Sequence, residues 1–330
     1  MKSRHHRPAR AIATLGAVLG AAALLLAAPA KAESWPTRPI TLIAPFTPGG
    51  TTDIVARAVA MQLQQQLGQP VVVENKPGAG GTLGAGIVAR AKADGYTLLL
   101  ANVGHTAAAV LYKNLPYDFE RDMTQITTVA NVPNVLVVPK RLPVNNVQEL
   151  LAYAKANPDD INYGSAGIGT TQHLSAELLK KQSGLQALHV PFKGAAPMMT
   201  DLIAGRLTFA LDSAASAKTQ IDGGGVKPLA VTGLQRTPFL PQVPTLDESG
   251  VPGYQMTTWY SLAGPKGLPP AIVDKIWHAV KASMDDPIMR RTLEGMAAEP
   301  GGMEPARFEA FVRDETVRWA DLARNWDSNN

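Results

Sequence analysis

The stretch "APFTPGGTTDIV", residues 44–55, joins an apolar run ending at Phe46 to a turn made by Pro48, Gly49 and Gly50. Two threonines and Asp53 then open a helical pattern, with Ile54, Val55, Ala58, Val59 and Met61 at helical steps and Gly68 as a stop. A strand, a glycine turn and a helix start place free backbone N–H groups where an anion can sit. The pattern around this stretch repeats. "PVVVEN" (70–75) and "YTLLLAN" (96–102) read as strands, and "GTLGAGIVARAKADG" (81–95) between them as a helix. Strands alternating with helices predict parallel pairing with helices on the sheet faces.

A second α/β unit follows "YDFERDMTQITTVANVP" (117–133), which reads as a connection. Its strands are expected at "NVLVVP", "INYGS", "ALHVPF", "LTFALDS" and "KPLAVTG", and its helices at 146–158, 171–184 and 196–205. A Pro-rich passage (237–254) precedes the strand "TTWYSLAGP" and two further helices. Three strands are few for a complete sheet, so this C-terminal part is expected to complete the first unit. The predicted division is residues 1–32, then a discontinuous lobe 33–130 plus 247–330, and a second lobe 131–246.

Residues 1–32 carry a basic start, an apolar run and Ala30-Lys31-Ala32, the order of a secretory signal peptide cleaved before Glu33. An uncleaved anchor is the other reading, since the run approaches spanning length. The chain has 31 basic and 27 acidic residues. Lys2, Arg4, Arg7, Arg10 and Lys31 lie in the signal, so the remainder has 26 basic and 27 acidic residues, a net charge of −1. That removes the electrostatic support for a nucleic-acid partner. The apolar content of 45% and charged content of 18% fit a globular chain. With zero cysteines there is no disulfide, thiolate metal site or thiol nucleophile.

"GTTQHL" (169–174) echoes "GTTDIV" (50–55), one in each α/β unit. Taken singly, each Gly-Thr-Thr reads as a helix cap. Recurring in both units, the pair reads equally as caps or as two sides of a ligand site. Enzyme patterns fail. "GAGGTLGAG" (78–86) stands too far from its strand for a dinucleotide loop. Ser165 in "YGSAG" lacks the glycine that a nucleophile elbow needs, because position 163 is Tyr. His105, His173, His189 and His278 show no paired metal spacing, and an orienting or core role is expected for His105 and His173. Asp212 ends a strand and could meet a ligand amine, bond backbone N–H groups or cap the next segment. Trp259 and Tyr260 read as strand packing.

The segments "WPTRPITLIAPFTPGGTTDIVAR", "VVVENKPGAGGTLGA", "DGYTLLLANVGHTAA", "YGSAGIGTTQHLSAE", "VPFKGAAPMMTDLIAGRLTFALD" and "LPQVPTLDESGVPGY", in that order, resemble the extracytoplasmic solute-binding receptors of tripartite tricarboxylate transporters, the Bug proteins. The resemblance implies a two-lobed periplasmic-binding-protein fold of the second type, a Venus flytrap whose lobes are each a mixed, mostly parallel sheet flanked by helices. It implies a monomer in the periplasm that holds a small carboxylate without catalysis, cofactor or metal. Di- and tricarboxylates, acidic amino acids and aromatic acids are the ligands implied, with membrane permease subunits as the partner.

Carried over position by position, the first lobe offers Phe46, Thr47, Gly49, Gly50, Thr51, Thr52 and Asp53, with His105 and Thr106. The second offers Ser165, Ala166, Gly167, Gly169, Thr170, Thr171, Lys193, Gly194, Pro197 and Asp212. Thr47 adds a donor at a variable position, Lys193 has solvent as its other destination, and Gly50→Ala is expected to harm binding, either by forcing a φ > 0 conformation or by crowding the ligand. The hydroxyls of Thr51 and Thr170 are expected to donate to the ligand. The alternatives are a sensor that presents its ligand to a membrane kinase and, from another class, an exported α/β hydrolase.

Overall fold

The apolar run ahead of the opening loop forms β1 (Ile40–Ala44), buried at every position except Thr41. A computed structural model of the protein describes residues 35–112 and 114–323, so the expected signal peptide and its cleavage site lie outside the described residues. Residues from Arg38 onward form one compact unit. After β1 come α1 (Thr51–Leu67), β2 (Val71–Asn75), α2 (Thr82–Ala89), β3 (Thr97–Asn102) and α3 (Gly104–Leu111). Then follow β4 (Met123–Pro139), α4 (Val147–Ala156), β5 (Asn162–Ser165), α5 (Thr171–Ser183), β6 (Leu188–Pro191), α6 (Ala195–Ile203), β7 (Phe209–Ser213), α7 (Ala214–Asp222) and β8 (Val226–Val231). The chain ends with β9 (Thr257–Pro265), α8 (Pro270–Ser283), α9 (Pro287–Gly295), β10 (Glu299–Pro300) and α10 (Pro305–Ala323).

The strands run in the order β2-β1-β3-β9-β4-β7-β5-β6, with β8 and β10 also paired to β4. The sheet is mixed. Parallel pairs lie towards its ends, β2-β1-β3 on one side and β7-β5-β6 on the other. Antiparallel pairs join them through β9 and β4. β4 is the shared element: its first part pairs with β9, and residues from Asn134 on pair with β7 and β8. The reading of 117–133 as a connection therefore fails at Met123. Pro133 looks like a breaker, yet it takes a strand position opposite Thr257.

Alternation along β4 sorts the core. Leu136 and Val138 join a large apolar cluster that also holds Leu99, Trp259, Phe308, Tyr163 and Phe209. Val135 and Val137, on the opposite face, pack with Met198, Leu202 and Ala217. The parallel order of β6, β5 and β7 brings the starts of α5, α6 and α7 to one end of the sheet, the end where open α/β sheets bind ligands. No helix among the described residues is long and apolar enough to cross a membrane.

Three buried histidines brace the turns at that end. The Asn102 N–H donates to Nδ1 of His105 at 3.1 Å, and the Gly169 N–H donates to Nδ1 of His173 at 3.2 Å. Nε2 of His189 lies 2.6 Å from Oγ of Ser165. The rings of His173 and His189 stack 4.3 Å apart. Burial lowers the pKa of His105 to about 4 and of His173 to about 4, and that of His189 to about 3, with nearby positive charge adding to the effect at the last two.

Each ring takes up its proton near pH 6.5 in the unfolded chain but only near or below 4 in the folded one. The unfolded state therefore holds more protons between pH 4 and 6.5. Stability is complete above that window and falls as pH falls through it. His105 alone should make the fold about 1.5 kcal/mol less stable at pH 5 than at pH 6.5, since the slope grows from about half of 1.4 kcal/mol per pH unit at pH 6.5 towards its full value as the unfolded ring protonates. Urea unfolding at the two pH values checks this. His105→Gln should lose less stability on acidification than the wild-type protein; an equal loss would show that His105 is not held neutral.

Candidate functional site

The opening loop is pinned from behind. Asp53 accepts hydrogen bonds from the Gly49 N–H, from Nε of Arg57 and from Nδ2 of Asn75, each at 3.0 Å. Asn75 also donates to the Phe46 carbonyl. Burial pushes the Asp53 carboxyl up, but the bonds from Arg57, Gly49 and Asn75 outweigh it and hold it below the ordinary range. Asp53 thus shapes the loop from behind. Gly49 supplies the left-handed turn at φ +84°. Gly50 does not: its φ is −84°, and an added Cβ would meet only the Thr47 carbonyl, at 3.9 Å. Gly50→Ala therefore forces no positive φ, and what remains of the expected harm is crowding of a ligand, because Gly50 lines the cavity described below.

The helix starts are uncapped by side chains. Gly50 precedes α1, Thr170 precedes α5 and Gly194 precedes α6, and none makes a side-chain capping bond. The Thr170 hydroxyl instead donates to the Gly167 carbonyl at 2.7 Å, which fixes the 165–170 turn and commits its proton within the protein. Of the helix starts at this end of the sheet, that of α7 is capped: Oγ of Ser213 accepts from the Ser216 N–H at 3.2 Å. That same Oγ is hydrogen-bonded to Oγ1 of Thr51, 2.9 Å away, tying the α7 start to the α1 start.

These four starts converge on one cavity of about 310 Å³. Thr51 and Thr52 line it from α1, Thr171 and Gln172 from α5, Ala195 from α6, and Ala215, Ser216 and Thr219 from α7. The first N–H groups of each helix have no intrahelical partner and carry partial positive charge. Among the lining residues the one charged side chain is Asp212, and no lysine or arginine is present. The volume suits a small molecule.

Of the residues expected from sequence, Phe46, Thr47, Gly49, Gly50, Thr51, Thr52, Ala166, Thr170, Thr171, Gly194 and Asp212 line the cavity. Asp53, His105, Thr106, Ser165, Gly167, Gly169, Lys193 and Pro197 do not. Asp53 and His105 face backwards into the bracing bonds described above. The Thr106 hydroxyl donates to the Val103 carbonyl at 2.6 Å. Gly167 and Gly169 make the second turn with positive φ. Lys193 and Pro197 are exposed. Ser165 is fully buried beside His189, so this serine–histidine pair has no face on the cavity.

Sequence reasoning missed Ile54, Asn102, Asn134, Gln172, Ala195, Ser213, Ala215, Ser216, Thr219, Thr258 and Tyr260. Gln172 was findable, being in the same first turn as Thr171. Ser216 and Thr219 lie one turn apart on α7, an element the apolar pattern does not reveal. Thr258 and Tyr260 arrive through the β4–β9 pairing and Asn134 through the β4–β7 pairing, opposite Ser213, and none carries a local signal. Tyr260 is a wall of the cavity beside Thr52 as well as a packing residue; burial raises its pKa, and the Thr52 hydroxyl opposes the rise.

Residues 55–327 match the family described as "Tripartite tricarboxylate transporter family receptor". BugT of Bordetella pertussis is 33% identical over 317 residues, covering 96% of this chain and 97% of that one. Among solved structures, Rpa4515 of R. palustris with adipate is 40% identical with a TM-score of 0.83, covering 88% of this chain and 97% of that chain. MatC (Rpa3494) from Rhodopseudomonas palustris with bound malate is 33% identical with a TM-score of 0.81, covering 88% of this chain and all of that chain. The fold is that of periplasmic binding proteins, and the chain belongs to the tripartite tricarboxylate transporter receptor family, whose members bind solutes and are not enzymes.

Proposed function

We propose that this protein captures a small carboxylate in the cavity and delivers it, outside the cytoplasmic membrane, to permease subunits of a tripartite tricarboxylate transporter. The observation that carries the reading is the convergence of four helix starts on a cavity that no basic side chain lines. Backbone N–H groups already fixed by the fold suit an anion and lose little freedom when they bind it. The adipate and malate seen in two relatives are small carboxylates. Export through a signal peptide ending at Ala32 would put the protein in the periplasm beside the permease.

The proposed lobes are 33–130 plus 247–330 and 131–246, closing on the ligand by hinge motion. Support comes from close backbone approaches beside the cavity. A Cβ on Gly104 would sit 2.5 Å from the Gly169 carbonyl oxygen, and one on Gly80 2.5 Å from that of Ile168. Gly104→Ala should therefore hold the lobes apart. We expect it to weaken binding by about tenfold or more and to abolish the decrease in radius of gyration that a tight ligand causes in the wild-type protein. Scattering with and without ligand reads both; a variant that closes like wild type would remove this seam from the account.

The donors themselves are testable by taking away one N–H. Thr171 is the first residue of α5, and Thr170 before it is extended, at φ −71° and ψ 161°. Both positions suit Thr171→Pro, which deletes the N–H and keeps the helix. A hydrogen bond to a charged group contributes roughly 1.5–3 kcal/mol. Thr171→Pro should thus bind a carboxylate about tenfold or more weakly than Thr171→Ala, and Lys193→Met should bind as wild type does. Calorimetry with a panel of mono-, di- and tricarboxylates measures all three. Loss of binding in the Lys193 variant with none in the proline variant would put an ion pair in place of the helix start.

A further inference from the structure

The helix starts around the cavity present donors, and a plain carboxylic acid would use donors alone. Asp212 breaks that pattern. It is wholly buried at the end of β7 and lines the cavity. Its Oδ1 accepts from the Ser213 N–H at 2.9 Å and from Nε2 of Gln172 at 3.2 Å. Its Oδ2 is buried with no hydrogen-bond partner. The Ser216 hydroxyl lies close enough to act on the carboxyl but makes no hydrogen bond to Oδ2. A buried acceptor left unmade is unfavourable and uncommon, and calls for a partner.

We propose, building on the carboxylate reading above, that Oδ2 of Asp212 accepts a hydrogen bond from a donor on the ligand, an ammonium or a hydroxyl carried near its carboxylate. The site then selects amino acids or hydroxy acids over the plain dicarboxylic acid of the same length. Burial raises the Asp212 pKa, against the pull of the nearby Ser216 hydroxyl, Gln172 and the Ser213 N–H. A ligand ammonium would restore the ionised form by pairing with it, and a ligand hydroxyl would satisfy the open acceptor. A site built around a ligand's N–H or O–H discriminates strongly against analogues that lack it, because its own polar atom is then stranded.

The rival is a protonated Asp212 that donates to a ligand carboxylate. The variant Asp212→Asn separates the two. The Ser213 N–H and Gln172 Nε2 both donate, so they hold the amide oxygen in the Oδ1 position and turn the amide NH2 towards the place of Oδ2. The variant thereby replaces an acceptor with a donor at constant shape.

Calorimetry on protein purified from an exporting host should compare three series: succinate, malate and aspartate; glutarate, 2-hydroxyglutarate and glutamate; adipate, 2-hydroxyadipate and 2-aminoadipate. In wild type, in the series that fits, a donor-bearing acid should bind at least tenfold tighter than its plain diacid. Tighter binding of the amino acid assigns the donor as ammonium, and of the hydroxy acid as hydroxyl. Asp212→Asn should weaken an amino acid tenfold or more, because an ammonium only donates. Asp212→Ala should do the same to a hydroxy acid, whose hydroxyl could accept from the asparagine amide. The plain diacid should bind as before or better in the variant that is used.

Equal binding of the plain diacid by wild type overturns the proposal without any variant. An unchanged ranking in the folded variant matched to the ligand, Asp212→Asn for an ammonium and Asp212→Ala for a hydroxyl, overturns it, and an equal loss for all acids overturns it by making Asp212 a general support. Failure of all nine acids, and of the wider carboxylate panel, would remove the carboxylate reading itself and this proposal with it.

Discussion

Every α-helix leaves its first N–H groups without partners in the helix, and this protein directs four such starts at one small cavity. Much of the rest of the site serves that arrangement. The glycine turns at 49, 167, 169 and 194 let strands end and helices begin within a few residues. Asp53, His173 and the Thr170 hydroxyl satisfy the turns before α1 and α5 from the far side, so that side chains do not fill those two helix starts. A basic side chain would add a long-range attraction and a flexible stem. Fixed backbone dipoles give up less freedom on binding and place the charge by geometry.

Convergence needs the sheet order. β5, β6 and β7 run parallel and deliver three helix starts from one side, while β1 delivers the fourth. β4 and β9 lie between these groups and pair antiparallel with each other, so the walls they supply, Asn134, Thr258 and Tyr260, come from the strands that join the two ends of the sheet. Asn134 illustrates how completely such a wall is satisfied. Its side chain donates to Oγ of Ser175 and accepts from the Thr258 hydroxyl, while its backbone N–H donates to the Thr232 hydroxyl and its carbonyl accepts from that hydroxyl. Against that background the open oxygen of Asp212 stands out.

The parts of this architecture readable from sequence are those with short-range physical signatures. An apolar run, a Pro-Gly-Gly turn and a threonine-led amphipathic run dictate β1, its loop and α1 from adjacent residues. The echo at 169–174 exposes the α5 start in the same way. α3 and α7 were missed because their residues, "GHTAAAVL" and "AASAKTQID", are small and weakly patterned. The first part of β4 was hidden by Pro133 and its neighbouring asparagines, which act as breakers in isolation and are tolerated here by the β9 pairing. The family resemblance supplied loops rather than orientations. It brought in His105, Ser165 and Gly169, which hold the turns, together with Thr51 and Thr171, which line the cavity. Which way a side chain faces depends on partners distant in sequence, as Ser213 for Thr51 shows.

The most direct test of the account is a crystal structure of the protein with a bound carboxylate from the panel. The account predicts carboxylate oxygens at roughly 2.7–3.2 Å from backbone N–H groups in the first turns of α1 and α5, the usual range for such bonds. It predicts no lysine or arginine within about 4 Å of the carboxylate, the reach of an ion pair. A carboxylate paired with Lys193 or another basic side chain, with the helix starts left to water, would contradict it.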